Sequence, residues 1–215
     1  NLKPLRKNNV GIRLRYSAFN NRIRTRQLNS FAMKKITILL SFLFIQFSVA
    51  INQPAGKSKE TTKPSGNGTA TDPYQLAALN ELRWLSETDS VWDKHFKLVA
   101  DINASETQNW NEGKGFQPIG NFSGVLNGDG FAIDNLFIDR ENQDTVGFIA
   151  EASEAEISNL RFKNMNITGN RYTGGIAGAG GASIEKVSVS GTIHGISDYT
   201  GGIIGKVTAV TSINE

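Results

Sequence analysis

The stretch TGGIAG at residues 173–178 recurs almost unchanged as TGGIIG at residues 200–205. A weaker copy, TVGFIA, lies before both at residues 145–150. Aligned without gaps, the three blocks place their central glycines at nearly equal intervals, at Gly147, Gly175 and Gly202. Repeats with a period of roughly 20–50 residues indicate a stacked architecture. Because Val146 and Ala150 occupy glycine positions in the weak copy, we expect that block to form an irregular edge repeat.

A second, apolar pattern recurs in step with the glycine blocks. Copies begin at Ile133 (Ile-x-x-Leu-x-Ile), Ile157 (Ile-x-x-Leu-x-Phe) and Ile184 (Ile-x-x-Val-x-Val). Ile213 stands where the next copy is expected to begin. Two independent markers with one period argue against a chance repeat.

The composition of each repeat indicates the type of stack. Short β-favouring stretches are separated by Gly, Asn, Ser and Asp, and the sequence after residue 113 shows no helical stripe. A period of about 27 residues accommodates three short strands and their turns. We therefore predict an all-β fold, a right-handed parallel β-helix, whose hand follows from the preference for right-handed crossovers. Glycines are expected where coils turn or approach closely, and the repeat-defining ones are Gly147, Gly174, Gly175, Gly178, Gly201, Gly202 and Gly205.

An amphipathic helix is predicted before the repeats. Asp72 suits the N-cap position, and Pro73 suits the first helical position. Four leucines that recur at every third position predict a short α-helix over residues 73–86: Leu76, Leu79, Leu82 and Leu85. Because a solenoid end exposes apolar side chains and unpaired strand edges, we expect this helix to cap it. We assign residues 73–112 to an N-terminal cap, helix plus first strand, and residues 113–215 to the repeats.

The three tryptophans all lie in the cap segment, at Trp84, Trp92 and Trp110. One interpretation is that they pack beneath the cap, and the other is that they form an aromatic surface that stacks on sugars. We favour packing.

A secretory signal peptide is predicted at residues 33–50. A Met-Lys-Lys start is followed by a mostly apolar run at positions 36–49 and by Ser-Val-Ala, a small-x-small cleavage site. The apolar run is shorter than the roughly 20 residues of a transmembrane helix, so a membrane anchor is the less favoured alternative. We expect residues 1–32 to be a non-native upstream extension rather than a genuine basic one, and residues 51–72 to be a flexible linker. The mature chain is then secreted or displayed at the cell surface, without a membrane span.

The net charge of +3 comes from the start of the chain. Residues 1–32 hold eight basic residues and no acidic ones, whereas residues 51–215 hold 13 basic and 20 acidic residues, a net charge of −7. Nucleic acid is therefore not an expected partner, because the mature chain lacks the positive charge for it. The absence of cysteine excludes disulfides, thiolate metal sites and a cysteine nucleophile.

The TGGIAG and TGGIIG blocks, each followed by an apolar strand and a glycine, resemble GLUG-motif repeats. The runs at 68–87, 95–105 and 115–138 resemble the region that enters those repeats in bacterial cell-surface proteins. The resemblance covers roughly residues 68–215. It implies a β-helical surface or adhesin-type protein, similar to repeats that flank IgA-specific metallopeptidase domains. The motif is structural and carries no catalytic residues.

Candidate catalytic carboxylates lie near the start of the repeats. Asp129 and Asp134 are placed so that adjacent turns could present them as a pair, as in β-helical enzymes that act on polysaccharides. We favour the alternative that residues 127–130, Asn-Gly-Asp-Gly, form a turn in which the aspartate replaces a backbone group. The glutamates that follow are expected in an exposed loop: Glu151, Glu154 and Glu156.

No His-Glu-x-x-His metallopeptidase motif occurs, since His95 and His194 are far apart in the sequence and neither is followed by glutamate. We therefore predict no catalytic residues, no cofactor and no metal site. The expected function is a non-catalytic, exported surface repeat protein that binds a glycan or a host surface protein through its flank.

The alternative is an enzyme whose catalytic part lies beyond residue 215. A β-helical polysaccharide lyase, a glycoside hydrolase or a surface peptidase would each fit that description. The repeat that begins at Ile213 is not completed, so we expect the sequence to be truncated within a repeat. Further glycine repeats followed by an attachment domain would favour the adhesin, and a downstream acidic cluster or His-Glu-x-x-His would favour the enzyme.

Overall fold

The computed structural model describes residues 61–209 and 211–214. This part of the chain forms one α-helix, α1 (Leu79–Glu87), and 15 strands. In chain order the strands are β1 (Tyr74–Leu76), β2 (His95–Leu98), β3 (Ile102–Asn103), β4 (Ile119–Phe122), β5 (Val125–Asn127), β6 (Ala132–Asp134), β7 (Phe137–Arg140), β8 (Ile149–Ser158), β9 (Arg161–Gly169), β10 (Thr173–Gly174), β11 (Ala177–Glu185), β12 (Ser188–Gly195), β13 (Thr200–Gly201), β14 (Ile204–Val207) and β15 (Ser212–Asn214). Three 3-10 helices lie between α1 and β4, at Asp89–Val91, Ser105–Asn109 and Asn111–Gly113.

These strands pair in parallel and build three sheets. The largest follows the order β1-β2-β5-β8-β11-β14, with β4 beside β8 and β15 beside β11. A second sheet follows β3-β6-β9-β12, with β7 beside β9, and a third joins β10 to β13. Each strand therefore lies on its counterpart from the previous turn of the chain, which we call a coil. The arrangement is a parallel β-solenoid and confirms the predicted all-β class.

Inward-facing side chains stack in columns from coil to coil. Leu126 pairs with Phe96 on one side and Ile157 on the other, and Ile184 extends the column. These four side chains are buried, and burial of apolar surface is the main favourable term in folding. The prediction that Ile213 begins a further copy is confirmed, because Ile213 pairs with Ile184.

The apolar pattern at Ile133 lies in a different column from the one predicted. Ile133 pairs with Phe162, and Leu126 occupies the place that corresponds to Ile157. The predicted equivalence of Ile133 and Ile157 is wrong because a four-residue turn, 128–131, separates β5 from β6. The corresponding link between β8 and β9 is only residues 159–160, so the earlier coil is longer.

The weak block at residues 145–150 also pairs differently at its start. Val146 pairs with Thr173, and Ile149 pairs with Ala177. Two residues separate the paired positions in the weak block, whereas three separate them in the next one. The gapless alignment is therefore correct at Ile149 and shifted by one residue before it.

The same block lies inside the stack and not at its edge. Val146 and Phe148 are both completely buried. The Phe148 ring lies between two other aromatic rings, with centroids 5.6 Å from Phe116 and 5.1 Å from Phe162. The expectation of an edge repeat is wrong, because Val146, which stands at a glycine position, and Phe148 both fill the interior.

The last coil buries its apolar side chains less completely than the earlier ones. Ile193 pairs with Ile167, and Ile204 pairs with Ala177. Ile167 and Ala177 are fully buried, whereas Ile193 and Ile204 are only half-buried. Among the described residues, the apolar core is thus most completely buried in the coils before the last one.

The helix begins later than the sequence predicts. It starts at Leu79 instead of Pro73, and Tyr74–Leu76 forms strand β1, which pairs with Phe96–Leu98. The Glu81 carboxylate accepts hydrogen bonds from the backbone N–H groups of Ala77 (2.6 Å) and Ala78 (3.1 Å). These bonds satisfy donors that precede the first helical turn, and they mark where the strand ends and the helix begins.

Residues 61–72 pack on the domain, although the sequence predicts that they belong to the linker. The Ser65 carbonyl accepts a hydrogen bond from the Gln75 N–H (2.9 Å), and Asn80 Nδ2 donates to Thr62 Oγ1 (2.6 Å). The predicted extension at 1–32, the signal peptide at 33–50 and linker residues 51–60 lie outside the described residues. Across the described ranges, no helix has the length and apolar character that a bilayer crossing requires.

Candidate functional site

The repeat-defining glycines lie where the chain approaches itself closely. A Cβ atom added at Gly175 would lie 2.4 Å from the Gly202 carbonyl oxygen of the next coil. At Gly202 the same atom would meet nothing within 4 Å. The other five would each bring a Cβ within 3.0 Å of backbone atoms: Gly147, Gly174, Gly178, Gly201 and Gly205. Most of these positions therefore serve close packing and present no group to a ligand.

The two candidate catalytic aspartates have separate partners. Asp129 lies in the turn between β5 and β6, where its carboxylate pairs with the Lys97 ammonium at 2.9 Å. Asp134 ends β6 and accepts a hydrogen bond from Asn164 Nδ2 at 2.9 Å. The side chain that replaces a backbone group in this turn is Asn127, whose Oδ1 accepts from the Asp129 N–H. Each carboxylate thus has a structural role in joining coils or chain segments.

The remaining acidic and histidine candidates are dispersed. Glu151, Glu154 and Glu156 are exposed, but they lie on strand β8 and not in the predicted loop. His95 lies at the start of β2, and His194 lies near the end of β12. Among the residues that the structure describes, no three His, Asp or Glu side chains group as metal ligands would.

The tryptophans pack around the cap. Trp92 Nε1 donates to the Leu85 carbonyl oxygen (2.8 Å). Arg83 lies over the Trp110 ring with its guanidinium carbon 4.8 Å from the centroid. The Trp84 ring meets Tyr74 edge-on at 5.3 Å. These contacts support packing over sugar stacking for all three rings.

A different aromatic pair lies on the outer flank, where two successive coils turn. Tyr172 precedes β10, and Tyr199 precedes the paired strand β13. Their ring centroids are 5.4 Å apart, with an angle of 37° between the ring planes. Tyr172 is half-buried and Tyr199 is 56% exposed. The coil-to-coil stacking of the solenoid therefore produces a short column of two rings, of which Tyr199 is exposed.

Backbone hydrogen bonds hold the two tyrosines in register. The Tyr172 N–H donates to the Asp198 carbonyl (3.1 Å), and the Thr173 N–H donates to the Tyr199 carbonyl (3.0 Å). Both tyrosines have positive φ, at 54° and 64°. Nine other non-glycine residues of the described chain share this conformation, so it is a recurrent feature of the turns. Bulky aromatic residues rarely adopt it in other proteins.

Charged groups surround the tyrosine pair. The Lys206 ammonium lies 4.6 Å from the Tyr172 centroid and 5.7 Å from that of Tyr199. The Arg171 guanidinium carbon lies 5.3 Å from the Tyr172 centroid, and Arg171 Nη2 is 4.0 Å from Asp198 Oδ2. We call these five residues the tyrosine patch: Arg171, Tyr172, Asp198, Tyr199 and Lys206. The patch offers stacking surface, a cation and hydrogen-bonding groups side by side.

The glycine and apolar patterns of the sequence do not predict the tyrosine patch. The available signal was the period, because Tyr172 and Tyr199 each directly precede a TGG block and so occupy the same position of the repeat. The glycine positions alone do not indicate which residues precede them.

Comparison with known proteins gives two relatives and one solved structure, and no protein-family model matches the chain. Halomucin from Haloquadratum walsbyi is 40% identical over 147 residues, which is 65% of this chain and 2% of halomucin. A protein of Evansella cellulosilytica, described as a Gly-rich membrane protein, is 30% identical over 174 residues, 73% of this chain and 19% of that protein. The chain thus spans a small part of both curated relatives.

The solved structure is that of a Bacteroides ovatus protein named as an immunoglobulin A1 protease. It superposes with a TM-score of 0.34 and 18% sequence identity, covering 69% of this chain and 66% of that one. Membership of the GLUG-motif repeats stays a prediction.

Proposed function

We propose that this chain is part of a surface-displayed, non-catalytic repeat protein that binds glycans through the flank of its solenoid. The observation that carries the proposal is the tyrosine patch, in which Tyr172 and Tyr199 stack on successive coils beside Arg171, Asp198 and Lys206. Rings of this kind offer large, rigid contact area at low cost in conformational entropy. Neighbouring charged groups can fix the orientation of a sugar by accepting and donating hydrogen bonds.

The solenoid suits a long, repetitive ligand. Its outward side chains change without disturbing the inward columns, and its flank repeats from coil to coil, as a polymer repeats from unit to unit. Several weak contacts along one polymer raise the overall affinity by multivalency. A glycan therefore fits the patch better than a compact host protein, which would need a larger continuous interface.

We propose a cell-surface or secreted location for the mature chain. The signal peptide predicted at 33–50 supports it, as do relatives named halomucin and Gly-rich membrane protein. Fractionation of the source cells tests this, and we expect the chain in the surface or secreted fraction. Recovery from the cytosol would contradict the proposal.

Binding of the purified chain to an array of glycans and host surface proteins tests the proposed activity. We expect glycan binding that is lost in Tyr199→Asn, because asparagine tolerates the positive φ of this position but removes the ring. Val99→Asn is the matched control, since it removes another exposed apolar side chain, on the first coil. Loss of binding in both variants, binding to proteins alone, or breakdown of a bound glycan would each contradict the proposal.

A further inference from the structure

We infer that the tyrosine patch selects acidic polysaccharides, whose sugars carry carboxylates, over neutral ones. This inference rests on the proposed glycan-binding function and specifies its ligand class. It follows from three features of the described residues: an ammonium group that no carboxylate neutralises, the charge of the coils around it, and the position of donors beside the exposed ring.

Lys206 differs from other lysines of the solenoid in its partners. The ammonium groups of Lys94, Lys97 and Lys186 each pair with a carboxylate, at 2.9, 2.9 and 2.8 Å. The Lys206 ammonium instead lies over the rings of Tyr172 and Tyr199, and within the described part of the chain it has no carboxylate partner. A cation held over aromatic rings keeps its charge available to an incoming anion.

The charge distribution favours an anion at this end of the solenoid. Residues 61–169 hold eight basic and 16 acidic residues, whereas residues 170–214 hold three basic and two acidic ones. The earlier coils therefore repel a polyanion, whereas the coils that carry the tyrosine patch do not. The asymmetry confines an acidic polymer to the last two coils.

The patch can meet both parts of an acidic sugar. The exposed Tyr199 ring offers stacking surface for the apolar face of the sugar, and the Lys206 ammonium lies beside that ring for the carboxylate. The Arg171 side chain is 43% exposed, and its Nη2 lies 4.0 Å from Asp198 Oδ2, a separation that leaves room for its N–H groups to donate to a ligand oxygen. A neutral sugar would use the ring and leave the ammonium unpaired.

Affinity measurements with polymers matched in backbone and different in charge test the inference. The probes are polygalacturonate and its fully methyl-esterified form, with alginate and hyaluronate as further carboxylated polymers and dextran as a neutral one. We expect binding to at least one carboxylated polymer. Esterification of polygalacturonate should weaken its binding about fivefold or more, and added salt should also weaken the binding of the charged polymer. Lys206→Gln should abolish this preference, whereas Lys186→Gln, which removes a lysine already paired with Glu185, should keep it.

The outcomes separate this inference from the proposal on which it rests. Equal binding to the charged and esterified polymers, or binding to dextran alone, would overturn the acidic preference and leave glycan binding intact. An acidic preference that survives in Lys206→Gln and Tyr199→Asn would place the site elsewhere and overturn the inference. Failure to bind any of these polymers or any arrayed glycan would overturn both.

Discussion

At the scale of single residues, two glycines at the same repeat position have different surroundings. An added Cβ at Gly175 would collide with the Gly202 carbonyl of the next coil, whereas one at Gly202 would meet open space. Gly175 has a further coil stacked on it, and Gly202 belongs to the coil above. The same sequence motif is therefore closely packed at Gly175 and open at Gly202.

Alanine substitution at both glycines measures this difference. We expect Gly175→Ala to destabilise the fold by about 1–3 kcal/mol, because the new methyl group forces the coils apart. Gly202→Ala should change the free energy of unfolding by less than about 0.5 kcal/mol. Urea denaturation gives both values, and equal destabilisation by the two substitutions would contradict the described stacking.

The sequence predicts the structural role of the glycines better than that of the residues beside them. At Gly174 and Gly201 the chain turns back on itself so tightly that a Cβ would collide with the carbonyl oxygen three residues later, and both TGG blocks keep glycine there. Tyr172 and Tyr199 are not required by the backbone, and asparagine or glycine would fit their positive φ more easily. Their proximity depends on coil-to-coil register, which composition alone does not reveal.

At the scale of elements, Glu81 marks the transition from strand β1 to helix α1. Its carboxylate accepts from the N–H groups of Ala77 and Ala78, two donors that the helix itself leaves unpaired. Glu87, in the last turn of the same helix, forms an exposed pair with Arg83 at 2.6 Å. We therefore expect Glu81 to contribute more than Glu87 to the stability of the fold.

Truncation of each glutamate to alanine tests this assignment. We expect Glu81→Ala to lower the free energy of unfolding by about 1 kcal/mol, since backbone donors lose their acceptor. Glu87→Ala should cost about 0.5 kcal/mol or less, as is usual for an exposed helix pair. Chemical denaturation compares them, and a larger loss in Glu87→Ala would contradict the assigned role of Glu81.

The helix boundary shows why local signals were insufficient here. The sequence here matches the usual signal for a helix start, with Asp72-Pro73 followed by Leu76 and Leu79 at helical spacing. Pairing of Tyr74–Leu76 with Phe96–Leu98 overrides that preference, because the strand extends the largest sheet. Such pairing depends on a segment well beyond the helix, which a local pattern does not contain.

At the scale of the whole molecule, the period predicts the solenoid but not every register. Ile157 and Ile184 lie one coil apart and keep the interval of the glycine blocks, and there the predicted alignment holds. The coil before them, from Leu126 to Ile157, is longer by four residues, and the turn at 128–131 accounts for two of these. A turn of different length moves the pattern without changing the fold, since only the inward columns have to match.

The solenoid also determines where a binding surface can form. Its interior consists of packed apolar columns, and its glycines allow the coils to approach, so both are committed to stability. The outer flank remains for function, and the tyrosine patch occupies it where Tyr172 and Tyr199 stack. We therefore place glycan binding on this flank.

Hydrogen exchange of the chain, with and without polygalacturonate, tests this location of the binding site. We expect the polymer to slow amide exchange around residues 171–173 and 198–206, and to leave β2 and β5 on the first coils unchanged. Tyr199→Asn should remove the protection while the free chain exchanges as before. Slowing confined to other coils, or protection that persists in Tyr199→Asn, would contradict the account.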